Sequence, residues 1–288
     1  MGNTFPAKVL LFGEHTVLRG GRGLAVPYQR LSLRWVKDRP DETLLRFCDY
    51  LKKEFSQGYL DTNALEDDLL EDWQLVGDIP TGYGLGSSGA VCAAIFERFA
   101  TDRGKQLTGQ SLREFLAKME SYFHGSSSGT DPLISYLRRP MLLEAGAPPR
   151  AVDLPINWDE RFFLVDTGRT RKASTLIRKF TEAYDGKADF ALKVNSVWKS
   201  QADAAIAALL TGDHQELTHA FSAISDFQLK HLRTFIPKPI RKYWSGDNYR
   251  LKICGAGGGG MLLGLADSPN ARISGITPLW LSPKGARV

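Results

Sequence analysis

The chain has 288 residues, enough for one large domain or two small ones, and its 43% hydrophobic and 24% charged content is that of an ordinary water-soluble globular protein. Its net charge of +5 suits an anionic small ligand but hardly argues for nucleic acid. Three scattered cysteines, Cys48, Cys92 and Cys254, exclude a disulfide framework and a cysteine metal cluster, so the expected compartment is the reducing cytoplasm.

The start, MGNTFPAKVLLFGEH, has no basic region, and its apolar run from Val9 to Phe12 is too short for a signal peptide. Only Gly2 fits a myristoylation pattern, because Pro6 stands where Ser or Thr is expected. No run approaches the ~20 apolar residues of a membrane span. KVLLF at 8–12 and LSLRWV at 31–36 read as strands. In 42–56, Leu44, Leu45, Cys48, Leu51 and Phe55 recur at helical spacing. LEDDLLEDW at 65–73 reads as a surface turn or short helix, and WQLVGDI as a strand. A helix is expected to open near Ser87, and a second to span 108–122 with Thr108 or Ser111 as its cap. HGSSSGTD at 124–131 reads as a loop leading into PLISYL, and RFFLVDTG at 161–168 as a buried strand. Residues 172–233 have a helical pattern with breaks at Gly186 and at Gly212–Asp213. RLKIC and MLLGLA are expected as strands on either side of GAGGGG, with PLWLS as the last strand. The Pro-rich APPRAVDLP places a boundary near 155, giving expected domains of 1–155 and 156–288. Strands and helices mix in irregular order, which predicts an α+β fold. The basic segment 229–252, with Lys230, Arg233, Lys238, Arg241, Lys242, Arg250 and Lys252, reads as a solvated face that also attracts phosphate, since no nucleic-acid motif accompanies it.

Two glycine runs, GLGSSG at 84–89 and GAGGGG at 255–260, each fit G-x-G-x-x-G. Neither has the context of a dinucleotide site. The first leads through one helix into another, and the second into a strand, so no βαβ unit follows and the NAD oxidoreductase reading is disfavoured. The P-loop and protein-kinase signatures are absent. The first run still suits polyphosphate. Glycines let a ligand approach the main chain, and a helix opening at the serines aims free N–H groups and its positive dipole end outward. Hydroxyls there can meet a phosphate oxygen or Mg²⁺. The competing reading makes Ser87 or Ser88 a helix cap only.

Three blocks occur in one order: PAKVLLFGEHTVLRGG at 6–21, PTGYGLGSSGA at 80–90 and KICGAGGGG at 252–260, with MESYFHGSSSGTD at 119–131 between the last two. Together they resemble the motifs of the GHMP kinase superfamily, most closely those of its mevalonate kinases. The resemblance implies a two-lobed α+β fold, with an N-terminal lobe like ribosomal protein S5 domain 2, and ATP-dependent phosphorylation of a small-molecule alcohol. It implies ATP on Gly82, Gly84, Leu85, Gly86, Ser87, Ser88, Gly89 and Ala90, with Gly257 and Gly258 closing over the phosphates. Mg²⁺ falls to Ser88 and Glu120, the catalytic base to Asp131, and its lysine neighbour to Lys8. Glu14, His15, Arg171 and Gly257 fall to the acceptor, with Arg171 for a carboxylate. Taken without the resemblance, Asp131 reads as a turn residue, Glu120 as a solvated charge, Lys8 as a strand-edge lysine and His15 as a packed loop histidine. Mevalonate is the expected acceptor. Phosphomevalonate, a sugar, or a non-catalytic nucleotide-binding role are the alternatives. No nucleic-acid or membrane partner is expected, and the assembly is expected to be a monomer or homodimer. The chain departs from the pattern at Ala7, Gly89 and Cys254, and in the short gap between its first two motifs.

Overall fold

The computed structural model describes residues 3–55, 58–269 and 271–282, so Gly2 lies outside the described residues. In chain order come strand β1 (Phe5–Phe12), β2 (Gly23–Lys37), helices α1 (Glu42–Glu54) and α2 (Thr62–Leu70), and β3 (Trp73–Gly77). Then follow α3 (Ser87–Phe99), a single turn α4 (Asp102–Lys105), α5 (Gly109–His124), α6 (Thr130–Leu137), β4 (Met141–Leu143) and β5 (Arg150–Ala151). The remainder is β6 (Phe162–Asp166), α7 (Ala173–Gly186), α8 (Ala188–Lys193), α9 (Ser200–Thr211), α10 (His214–His231), β7 (Ser245–Gly246), β8 (Tyr249–Ile253), β9 (Met261–Ala266) and β10 (Leu279–Trp280). This mixture is α+β, as the irregular element order implies. Among the described residues no helix is long and apolar enough to cross a membrane.

The helix ends follow the capping chemistry of the residues present. Asp61 caps α2 by accepting from the Ala64 N–H at 3.0 Å, so the acidic LEDDLL segment is a helix. Thr108 caps α5, and Ser111 answers it in a capping box, so both candidate residues take part. Gly212 at φ 76° ends α9, and Asp213 caps α10 by accepting from Gln215 and Glu216. Between α8 and α9 the backbone widens into a π-turn over Val194–Lys199, which the helical pattern of 172–233 did not announce. Asp131 stands in the first turn of α6, so the loop in HGSSSGTD ends at Gly129, two residues before it. β4 and β5 were not expected; strands this short leave no readable alternation.

The chain forms two compact units, each assembled from separated stretches. The first comprises Met1–Lys8, Pro27–Pro80 and Gly86–Arg139. Here residues 33–37 of β2 pair antiparallel with β3, and α3, α5 and α6 pack on one another. The interior is aromatic. Phe47 stacks on Tyr122 with centroids 4.9 Å apart, and Phe115 lies between Phe55 and Phe96. Phe96, Leu116 and Met119 are almost wholly removed from water.

The second unit comprises Val9–Val26, Thr81–Leu85 and Pro140–Val288. Residues 23–25 of β2 pair with β4, which pairs with β5. A separate antiparallel sheet runs β10-β6-β9-β8-β7, with α10 packed on β8 and α9 on α10. Phe12, Phe162 and Phe221 meet edge to face in its core, and the Trp244 indole donates to the Ser225 carbonyl at 3.1 Å.

Candidate active site

In the first unit the site is built at the start of α3. Its cap is Gly86 at φ 74°, and no side chain caps the helix. The first intrahelical bond runs from the Ala90 N–H to the Gly86 carbonyl at 2.9 Å. Ser87 and Ser88 therefore stand inside the first turn and neither is the cap. The N–H groups of Ser87, Ser88 and Gly89 precede the hydrogen-bonded ladder, which makes this end a seat for anionic oxygen.

Lys8 and Asp131 lie against this helix start. Lys8 Nζ and Asp131 Oδ1 are 2.9 Å apart, and Lys8 is 9% exposed. A methyl group on Gly86 would stand 3.3 Å from Asp131 Oδ2 and 3.5 Å from Lys8 Cβ. On Gly89 it would come within 2.7 Å of the Asp131 carbonyl carbon and the Pro132 nitrogen. The alanine usual at this position in the resembled motif would push α6 and its aspartate outward. Gly89 is thus the residue that lets Asp131 approach α3 so closely.

Glu120, on α5, is 5% exposed. Its Oε1 accepts from Ser88 Oγ at 2.8 Å and its Oε2 from Ser127 Oγ at 2.5 Å. Ser127 Oγ also accepts the Gly129 N–H at 2.9 Å, which ties the carboxylate to the loop before α6. His124 Nε2 lies 3.0 Å from Ser88 Oγ. Ser88 spends its one proton on Glu120, so the His124 Nε2–H donates to Ser88. Ser127 and His124 were not singled out in the sequence. His124 had a signal, since it follows Glu120 by four residues on one helix face. Burial, and next the charge of Asp131, push Glu120 up to about 7 against the bonds from its two serines. A buried carboxylate short of positive charge, with a hydroxyl on it, fits a hard divalent cation such as Mg²⁺. No group of three or more His, Cys, Asp or Glu gathers to hold a metal among the described residues. The donor set is that of a metal completed by phosphate and water.

In the second unit, Gly82 and Gly84 lie against Thr170 and Arg171 in the segment after β6, and Leu85 is buried. The Arg171 N–H donates to the Gly82 carbonyl at 3.2 Å. The Arg171 guanidinium lies over Gly84 and Gly255, where a methyl on either glycine would overlap it. The second glycine run turns through positive φ at Gly255, Gly257, Gly258 and Gly260. Gly258 N–H donates to the Phe235 carbonyl and Gly260 N–H to the Arg169 carbonyl, each at 2.6 Å. Glu14 and His15 are both buried, at 1% and 5% exposure. Glu14 is ion-paired with Lys252, which is wholly enclosed. Burial drives Lys252 down to about 7, against the opposing influence of Cys254. His15 sits among Phe180, Phe235 and Trp198. Its Nε2 is 3.0 Å from the Ala256 carbonyl. A carbonyl can only accept, so Nε2 carries the proton. Burial, with a smaller push from the Arg171 charge, lowers the His15 pKa to about 4 against the pull of that bond. Cys254 is buried, with Sγ 3.7 Å from the Leu10 carbonyl.

A family model described as the GHMP kinases N terminal domain matches residues 40–139. A mevalonate kinase of Archaeoglobus fulgidus is 26% identical over 269 residues, covering 90% of both chains. Among solved structures, L. major mevalonate kinase in complex with R-mevalonate superposes with a TM-score of 0.63 at 20% identity, covering 93% of this chain and 87% of its own. Streptococcus pneumoniae phosphomevalonate kinase with phosphomevalonate and AMPPNP gives 0.61 at 15% identity, covering 93% and 92%.

The two shifted groups pull stability in opposite directions with pH. The unfolded chain protonates His15 near pH 6.5 and the folded one near 4, so this residue removes stability as pH falls from about 6.5 to 4. Glu120 stays protonated in the folded state up to about pH 7, against 4.5 when unfolded, so it removes stability as pH rises from about 4.5 to 7. Each is worth up to about 3 kcal/mol at the end of its window. Unfolding free energies from urea titrations between pH 4 and 8, without nucleotide, should diverge accordingly. Wild type minus His15→Gln rises with pH and wild type minus Glu120→Gln falls; parallel curves would contradict both assignments.

Proposed function

We propose that this chain, which carries a GHMP kinase N-terminal domain and the GHMP kinase fold, is a kinase that passes the γ-phosphoryl group of ATP to a small alcohol, and that the alcohol is mevalonate. The observation that carries the reading is the Lys8–Asp131 pair at 2.9 Å beside the uncapped start of α3, with Ser88 bonded to the buried Glu120 from that same first turn. Phosphoryl transfer asks for alignment and charge neutralisation more than covalent help, and these groups supply both.

The N–H groups of Ser87, Ser88 and Gly89 hold phosphate oxygens at the positive end of α3. Ser88 Oγ and Glu120 would hold Mg²⁺, which when bound neutralises charge on the phosphates. Asp131 orients the acceptor hydroxyl and takes its proton at a carboxylate oxygen as the oxygen attacks phosphorus. The Lys8 ammonium stabilises the negative charge growing on that oxygen. Arg171 is assigned to the acceptor's carboxylate, for which its planar fork is suited.

The choice of mevalonate rests on the curated relatives, which carry that name over nearly their whole length. The fold alone does not choose, because a phosphomevalonate kinase superposes almost equally well. A panel of mevalonate, phosphomevalonate and galactose, assayed for ADP release, decides it. Mevalonate should give the highest kcat/KM, and a better rate with either other alcohol would reassign the acceptor. Asp131→Asn should lower kcat by roughly 100-fold or more while ATP affinity holds; near-normal turnover would remove Asp131 from the mechanism. Arg171→Lys should raise KM for mevalonate without abolishing nucleotide binding. An unchanged KM would release Arg171 from that role.

A further inference from the structure

Glu14 and His15 lie inside the second unit, and what they touch there is the root and the body of the second glycine run. Gly13 opens the corner at φ 99°, where any side chain would strike the Gly23 Cα and the Arg22 carbonyl. The corner is closed by the Thr16 N–H to the Glu14 carbonyl at 2.6 Å and the Val17 N–H to the Gly13 carbonyl at 3.1 Å. From this fixed corner Glu14 reaches Lys252 in β8, two residues before Cys254. Lys252 Nζ also donates to the Ile253 carbonyl at 2.9 Å. His15 then reaches past the strand end to the Ala256 carbonyl.

We infer that the 13–15 corner is a latch on the glycine run, with Glu14, His15 and Lys252 acting as positioning residues for the backbone of 255–258. A stretch with left-handed residues at Gly255, Gly257 and Gly258 has great freedom unless it is pinned. The Glu14–Lys252 pair pins the strand that feeds it, the His15 bond pins Ala256, and the Phe235 carbonyl pins Gly258. Pinning the run before the ligand arrives spares that ordering cost on binding. The ion pair is enclosed at both ends, so losing one partner would leave the other's polar group unpaired in the interior. His15 holds its place as a neutral donor in an aromatic cage. The inference deepens the kinase reading, since the ligand for which the run is held is the polyphosphate of ATP.

The test separates the latch from the kinase reading. His15→Phe keeps the ring's place in the cage but loses the donor, and His15→Gln restores an N–H. Amide hydrogen exchange over 254–258 in the free protein should speed up roughly tenfold in His15→Phe and return to within about twofold of wild type in His15→Gln. The dissociation constant for ATP·Mg²⁺, measured by calorimetry, should weaken and recover in parallel, with KM for the alcohol unchanged in both variants. The double variant Glu14→Gln/Lys252→Met removes both charges while keeping side-chain bulk. It should raise the same exchange even if His15→Phe does not fold. Unchanged exchange in the folded variants would overturn the latch. So would a His15→Gln enzyme that binds ATP normally but has lost its acceptor, because His15 would then be a contact residue. The exchange response in the variants, together with wild-type protein that binds no ATP·Mg²⁺, would contradict the kinase reading and leave the latch standing.

Discussion

Lys8 and Asp131 come from strand β1 and helix α6, and their 2.9 Å contact is possible only because two glycines clear the ground between them and α3. Gly86 gives up a side chain where Asp131 Oδ2 and the Lys8 stem pass. Gly89 gives one up where the backbone at Asp131 and Pro132 presses on the helix. The packing of α3 on α6 follows from the same close approach, while Gly129, the cap of α6 at φ 73°, lies against Arg113 and Ala117 of α5. A carboxylate and an ammonium are thus held together beside an uncapped helix start.

Two carboxylates face this helix, and their surroundings set them apart. Asp131 has a lysine on one oxygen. Glu120 has only hydroxyl donors, and burial together with Asp131 keeps its proton on to about pH 7. The second unit uses charge differently. Lys252 and Glu14 neutralise each other out of water, and His15 is held neutral, so polarity there goes into fixing backbone.

Much of this was legible in the residues. Helical spacing located α1, the cap candidates Thr108 and Ser111 located α5, and the Gly/Ser run after β3 announced the α3 start. The element order gave α+β. Other features had no local signature. The serines at 87 and 88 look like caps, yet the cap is Gly86, because only a residue at ease with positive φ turns the chain there. Ser127 and His124 earn their places by folding back on Glu120 and Ser88. The burial of Glu14 and His15 is set by Lys252 and Ala256, far away in the chain, and no pattern in GEH foretells it.

The central proposal is that Ser88 and Glu120 would hold Mg²⁺ at the start of α3. It is tested most directly by a crystal structure with AMPPNP, Mg²⁺ and mevalonate bound. The account predicts one Mg²⁺ in contact with Ser88 Oγ, a Glu120 oxygen and phosphate oxygens, at roughly 2.1 Å from each, with the acceptor hydroxyl on Asp131. A metal bound elsewhere, with Glu120 still closed against Ser127 and Ser88, would contradict it.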